Sequence, residues 1–264
     1  MDTDNDGKTD IYGFSGQQSE FFEMAVVSNG HEFVVRNSQG EFVSNVTSDE
    51  VLSDCNWAYS FYTEGITRRQ TTEERNSGMW NYFTAMFERQ QSVLYLGYDY
   101  DANTFNDVNY FTGEPYCNFE FGFVCFPMGP DVDNYITLDR GPIYVIPNYD
   151  ANQSKLHDIA YAFNIYADTA LLTEDPDYWR PSYENYFREN ADMLATIDLM
   201  LHDSASYMES SYLVPGLWDN NNGIIQAQLL YALDSAETTP AELLESFNTP
   251  LAEALSEFNA ARIK

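Results

Sequence analysis

Apolar positions recur along this chain at two spacings, and the spacing decides the element. Residues 11–14 are a short apolar strand candidate. Ser19 opens a helical run carrying Phe21, Phe22, Met24, Ala25 and Val26. Asn29-Gly30 ends it, glycine being the usual residue just past a helix C-terminus. Residues 32–36 and 41–45 flank the polar stretch 37–40 and predict a β-hairpin. Thr47-Ser48-Asp49-Glu50 is a capping-box pattern. The helix it starts carries Val51, Leu52, Cys55, Tyr59 and Tyr62 on one face, and Gly65 closes it.

Residues 67–78 are polar and predict a loop. Residues 79–89 follow as a helix, with Trp80, Phe83 and Phe87 spaced three and four apart. Residues 91–96 predict a buried strand, and 98–110 an irregular or briefly helical stretch. Phe119, Phe121, Phe123 and Cys125 alternate on one face, which predicts a strand over 119–126. A further strand is expected at 141–147. The helix expected over 154–169 turns Leu156, Ile159, Ala160 and Phe163 inward. Residues 183–201 read as helical, after a start bracketed by Pro176 and Pro181. Residues 203–222 are loop-like, and 224–233 and 240–261 form two last helices. Thr239-Pro240 opens the second, with proline in its first turn, and Pro250 should kink or divide it. Strands alternating with helices, then a helical C-terminal third, predict an α/β fold.

Charge narrows the function. Lys and Arg total 12 against 42 Asp and Glu, a net charge of -30. That balance argues strongly against nucleic acid as a partner, because its phosphates would be repelled. It argues equally against an anionic membrane surface and fits a soluble protein in a cation-rich medium. Aromatic residues make up 16% of the chain, enough for both a core and a surface that meets flat, amphipathic ligands. Cys55, Cys117 and Cys125 form no C-x-x-C pair, so free cysteines are expected; Cys117 and Cys125 could pair only if the segment between them folds back. No apolar run is long enough to span a bilayer.

Residues 2–10, DTDNDGKTD, hold the densest chemistry. Asp2, Asp4 and Asp6 fall on alternate positions, Gly7 takes a turn, Lys8 offers a backbone carbonyl, and Asp10 follows. Crowded carboxylates repel unless a cation neutralises them, and Ca²⁺ takes oxygen ligands from this kind of loop. Asp2, Asp4, Asp6, Lys8 and Asp10 are therefore the expected ligands of a structural Ca²⁺. The bidentate Glu of an EF-hand is replaced by Gly13, so the loop resembles an EF-hand without completing one.

Several stretches together resemble the extracellular solute-binding proteins of carbohydrate ABC transporters, which include the maltodextrin- and alginate-binding proteins. DTDNDGKTDIYGF is similar to the calcium-holding segment of alginate-binding relatives. NYFTAMFERQQSVLYLG (81–97) is similar to a helix-then-strand segment, with Glu88-Arg89-Gln90 in place of the small residues usual there. FGFVCFPMGP (121–130), the segment 141–168 and the tail TTPAELLESFNTPLAEALSEFN follow in family order. The resemblance implies an incomplete two-lobe fold of the type II periplasmic-binding-protein kind. Residues 1–115 and 210–264 would form the second lobe, and 118–205 part of the first. It implies a chain truncated at its N-terminus, lacking a signal and lipid anchor, from a monomeric extracellular, periplasmic or cell-surface protein. That protein would present its cargo to ABC permease subunits.

The same resemblance implies a sugar or oligosaccharide held in a cleft, with no catalysis. Gln18, Glu20 and Phe21, then Tyr98 and Tyr100, then Trp218 and Asp219 would face it. The chemistry suits the role, since sugars offer apolar C–H faces to aromatic rings and hydroxyls to carboxylates and amides. Arg140 is a candidate clamp for a ligand carboxylate. Two other classes compete: a glycosidase using a pair among the acidic residues, and an EF-hand-like calcium-binding protein. His31, His157 and His202 lie in no triad or H-E-x-x-H pattern.

Overall fold

A computed structural model gives the structure of the chain and describes residues 1–16, 18–69, 74, 81–108, 113–138, 154–167, 177–188, 190–219, 221–235 and 238–262. The elements come in chain order. β1 (Tyr12–Gly16) leads into α1 (Gln18–Val27), which buries Phe21, Phe22, Ala25 and Val26. β2 (Val34–Arg36) and β3 (Phe42–Ser44) form the expected antiparallel hairpin, with Val35 opposite Val43. Its turn is held by Asn37, whose Oδ1 accepts from the N–H groups of Gln39 and Glu41, both at 3.0 Å.

α2 (Asp49–Thr63) starts at Ser48, whose Oγ accepts from the Val51 N–H at 3.2 Å. The cap is thus a single Ser48 bond rather than a box centred on Thr47. α3 (Tyr82–Glu88) and β4 (Ser92–Leu96) follow, then the short α4 (Asp101–Asn106). β4 pairs in parallel with β1, Tyr12 opposite Ser92 and Gly16 opposite Leu96. A parallel pair needs a crossover, here built of α1, the hairpin, α2 and α3.

β5 (Ile136–Leu138) and α5 (Leu156–Ala167) precede α6 (Arg180–Tyr186) and α7 (Ala191–Asp198), the last running on as a wider π turn at Leu199–Asp203. β6 (Ala205–Tyr207) pairs in parallel with β5. A 3-10 turn at Ser210–Leu213 leads, through residues 214–223, to a π-helical stretch at Ile224–Leu230. That stretch continues into α8 (Tyr231–Ser235), and α9 (Pro240–Arg262) ends the fold. The protein is a mixed α/β chain, mostly helical, with its strands in two-stranded pairs among the described residues.

The main core joins α1, α2, α8 and α9, where Phe22, Val26, Val51, Leu229, Leu233 and Leu251 are all fully buried. A second cluster gathers Trp179, Phe187, Met193 and Ile197 around Ala102. A third sets Tyr82, Phe83 and Met86 against Tyr12 and Tyr95.

Four expectations need correction. Residues 119–126 form no strand: Phe121 and Phe123 pack on the second cluster and Phe126 on the main core, while Val124 stays 76% exposed. Alternation orients side chains, but a strand also needs a neighbour's edge, and none is present among the described residues. The single helix over 183–201 is broken where Arg188 takes a positive φ of 50° and Asn190 caps α7, its Oδ1 accepting from Asp192 and Met193. α9 runs through Pro250 undivided, because Leu244, Leu251 and Leu255 on either side of it are anchored in the core. α5 is mostly exposed: Leu156, Ile159 and Phe163 are half-buried, and Ala160 faces outward. The strand expected at 141–147 and Arg140 lie outside the described residues. No described helix is long and apolar enough to cross a membrane. Cys55, Cys117 and Cys125 are free, burial pushing the Cys117 thiol up to about 12.

Candidate functional site

Parallel pairing sends β1 and β4 out of the sheet at the same end. The segments beyond the carboxyl ends of such strands are where open α/β sheets take ligands. Beyond β1 lies the first turn of α1, with Glu20; beyond β4 lie Gly97, Tyr98 and Tyr100. The turn after β4 is fixed by Asp101, whose Oδ2 accepts from the Tyr98 N–H at 2.9 Å and from the Tyr95 hydroxyl at 3.0 Å. Gly97 is required there, since a Cβ would sit 2.2 Å from the Tyr95 ring and 2.3 Å from Asp101 Oδ2. The turn stacks the rings of Tyr98 and Tyr100, 5.1 Å between centroids and 10° from parallel. The Tyr98 hydroxyl donates to Glu20 Oε1, and Tyr100 is 54% exposed.

A second stacked pair stands beside the first. Tyr212 and Trp218 lie 4.3 Å apart at 15°, with the indole N–H donating to Ser211 Oγ at 2.5 Å. The Tyr212 hydroxyl donates to Glu23 Oε1 at 2.5 Å. Glu20 and Glu23 are three residues apart, so they share one face of α1. One helix face thus anchors both pairs, and the Tyr212 and Tyr98 hydroxyls are close enough to influence each other electrostatically. Tyr183 of α6 adds a further phenol, donating to Asp99 Oδ2.

The field here has one sign. Burial pushes the hydroxyls of Tyr95, Tyr98 and Tyr183 well above their ordinary range. Asp101, Glu20 and Asp99 respectively, each accepting a phenol's hydrogen bond, push the same way. Tyr100 is raised by burial, then by Asp101, Glu20 and Asp99. Burial also raises Asp101, against the lowering effect of its two donors. The phenols are therefore neutral donors at every physiological pH.

The structure thus brings together Glu20, Tyr98, Tyr100 and Trp218 among the residues expected from sequence. Phe21 does not join them. It is 2% exposed, with its ring against Phe14, Trp57 and Phe61 at 4.6, 5.5 and 5.1 Å, so it belongs to the core. Gln18 lies in α1, its side chain outside what is described. Asp219 is exposed and holds the turn before the last helices, its Oδ1 accepting from Asn221 and Asn222 at 2.9 and 2.8 Å. Glu23, Asp99, Tyr183 and Tyr212 were missed. The i, i+3 spacing of Glu20 and Glu23 in an otherwise apolar helix was a signal in the sequence; Tyr183 carried none.

In the N-terminal loop, oxygens of Asp2, Asp4 and Asp10 lie within 4.8 Å of one another. Asp2 is oriented by the N–H groups of Asn5 and Gly7 at 2.7 and 2.9 Å, with Gly7 at φ +86°. Asp10 accepts from the Thr3 N–H at 2.8 Å and from its hydroxyl, which hold the Asp10 carboxyl below the usual range. Asp6 is not in this cluster: it faces Lys8, accepting its N–H at 2.8 Å with the ammonium at 3.5 Å. The three oxygens suit a hard cation, and Asp6 departs from the expected set.

The histidines each face an aspartate, His31 with Asp54 at 2.7 Å, His202 with Asp198 at 3.0 Å and His157 with Asp158 at 3.7 Å. No protein-family model matches the chain, and neither a curated protein nor a solved structure is significantly similar to it.

Proposed function

We propose that the chain binds a sugar or oligosaccharide without transforming it, as the substrate-binding component of an ABC importer of the type II two-lobe kind. The observation that carries this is the shared face of α1. Glu20 and Glu23 each accept a phenol hydroxyl from one of two neighbouring stacked aromatic pairs, Tyr98–Tyr100 and Tyr212–Trp218. Flat rings offer a pyranose its apolar C–H faces and the half-buried Glu20 an acceptor for its hydroxyls, while the fully buried Glu23 only orients Tyr212. The exposed Asp219 would contribute from the rim.

The segmented cores support the two-lobe reading, the main one drawn from residues 14–66 and 214–258 and the second centred on 179–200. In the whole protein the cargo would pass to permease subunits at the outer face of a membrane. The loop of Asp2, Asp4 and Asp10 would hold a structural Ca²⁺ away from the sugar. Incubation with a panel of neutral oligosaccharides tests the proposal: saturable binding without new reducing ends is expected. Steady hydrolysis would replace it with a glycosidase.

A further inference from the structure

One short turn carries half of the aromatic site, and two carboxyl groups hold that turn down. The 3-10 turn at Ser210–Leu213 brings Tyr212 onto Trp218 and sets Ser211 Oγ beneath the indole N–H. Such a turn leaves its first N–H groups without acceptors of its own. Two glutamates supply them, crossing from opposite sides. Glu209, just before the turn, accepts the Ser211 N–H on Oε2 at 3.1 Å and reaches over to β2, where Oε1 accepts from Phe33 and Val34 at 2.9 and 3.1 Å. Glu32, just before β2, reaches back and accepts the Ser210 N–H on Oε2 at 3.2 Å. Glu209 and Ser211 are fully buried, while Tyr212 and Trp218 are half-buried.

Around Glu209 the titratable and charged side chains are Glu32 and His31 before β2, Arg36 at its end, Tyr212 on the turn and Glu23 on α1. Glu32 acts directly on the Glu209 carboxyl. His31 is turned to Asp54, Arg36 lies over the Phe42 ring, and Glu23 holds the Tyr212 hydroxyl. Burial and Glu32 both favour a neutral Glu209, against its three N–H donors. Once ionised in this place, the carboxylate gains by reaching water. β2 is fixed in its hairpin, so the turn is the part that can leave. Resting on the carbohydrate reading, we infer that Glu209 is the positioning residue of the Tyr212–Trp218 pair and gates the site. With its proton it clasps the turn onto β2; without it the turn lifts, the rings part, and the ligand loses one of its two aromatic platforms.

Near-ultraviolet circular dichroism and tryptophan fluorescence from pH 5 to 9, below the ordinary tyrosine range, read the ring pair without any ligand. Wild type should lose the Tyr212–Trp218 signal reversibly by pH 9, with its far-ultraviolet spectrum unchanged. Trp218→Phe should lack that change and keep only the background from His202, whose ring lies 6.2 Å from that of Trp179. Glu209→Gln cannot titrate and should hold the rings together throughout. Glu32→Gln keeps an oxygen for Ser210 and removes the neighbouring charge, so its turn should stay closed to a higher pH. A wild-type signal that is constant across the range, or a change of equal size in Glu209→Gln, overturns the inference. Calorimetry with a β-1,4-glucose tetrasaccharide reads the gate: wild type should bind at least about tenfold more weakly at pH 9 than at pH 6, and Glu209→Gln should differ by less than about twofold. Equal wild-type binding at both pH values overturns the gate and leaves the carbohydrate reading standing. Binding at neither pH removes the carbohydrate reading, and the optical change then decides the clasp by itself.

Discussion

Replacing Glu209 by glutamine tests how this fold tolerates a buried acid. Glu209 is 0% exposed. Its Oε1 accepts from the N–H groups of Phe33 and Val34 at 2.9 and 3.1 Å, and its Oε2 from Ser211 at 3.1 Å. It thereby ties β2 to the turn that carries Tyr212. Burial pushes its carboxyl up to about 8, and the neighbouring Glu32 adds to the rise, against the three N–H donors that pull it down. Between the ordinary value of 4.5 and about 8, the folded chain holds a proton that the unfolded chain has lost, so stability falls as pH rises. The contribution is complete below 4.5 and is lost as pH passes about 8. At about 1.4 kcal/mol per pH unit, that interval corresponds to roughly 5 kcal/mol. Glutamine cannot titrate, and its amide sets a donor against a backbone N–H at a cost of about 1–3 kcal/mol. Urea denaturation from pH 5 to 9 should find Glu209→Gln less stable than wild type at pH 5, with the gap closing by several kcal/mol towards pH 9. The other acids titrate alike in both proteins and cancel. A gap that stays constant or widens with pH would mean that the three N–H donors keep the carboxylate ionised, and the reasoning fails.

Two further outcomes follow from the same geometry. Ca²⁺ should raise the melting temperature in a scanning experiment; Asp4→Ala should abolish that rise and Asp6→Ala should keep most of it, because Asp6 lies outside the cluster. An unchanged melting temperature with chelator refutes the metal loop. Phe22→Ala should cost about 3–5 kcal/mol in urea denaturation, since its ring is fully buried and stacked on Tyr62 at 5.9 Å. A loss below 1 kcal/mol would mean that the main core collapses freely onto the gap.

The parts of the fold that could be read from the sequence are those decided locally. α1, the hairpin and α2 are each written in a few residues: an apolar stripe, Ser48 as cap, Gly30 and Gly65 as stops; β4 forms as a strand but not as the buried one expected, with Val93 68% and Leu94 60% exposed. The parts that could not be read depend on partners far along the chain. The alternation of Phe119, Phe121 and Phe123 is real, yet those rings are divided among packing neighbours and gain no strand edge. Pro250 carries a strong local signal to break α9, and burial of leucines on both sides outweighs it. The same division holds at the site. Tyr98 and Tyr100 follow from their place after a strand, and Trp218 from its composition. Tyr212 could not be inferred, because its role comes from a bond to Glu23 across 189 residues. Phe21 misleads for the opposite reason: one position from Glu20, a helix turns it about 100° into the core.

Calorimetric titration with a neutral glucose tetrasaccharide, on the wild-type chain and on Tyr98→Ala and Trp218→Ala, tests the central claim most directly. Both rings are half-buried, Trp218 against the main core, so the variants' urea denaturation is compared with wild type to separate loss of the site from loss of fold. The account predicts saturable one-to-one binding in wild type and a loss of at least about tenfold, or about 1.4 kcal/mol, in each variant. Binding that both variants retain at full strength would contradict it, as would the absence of binding in wild type.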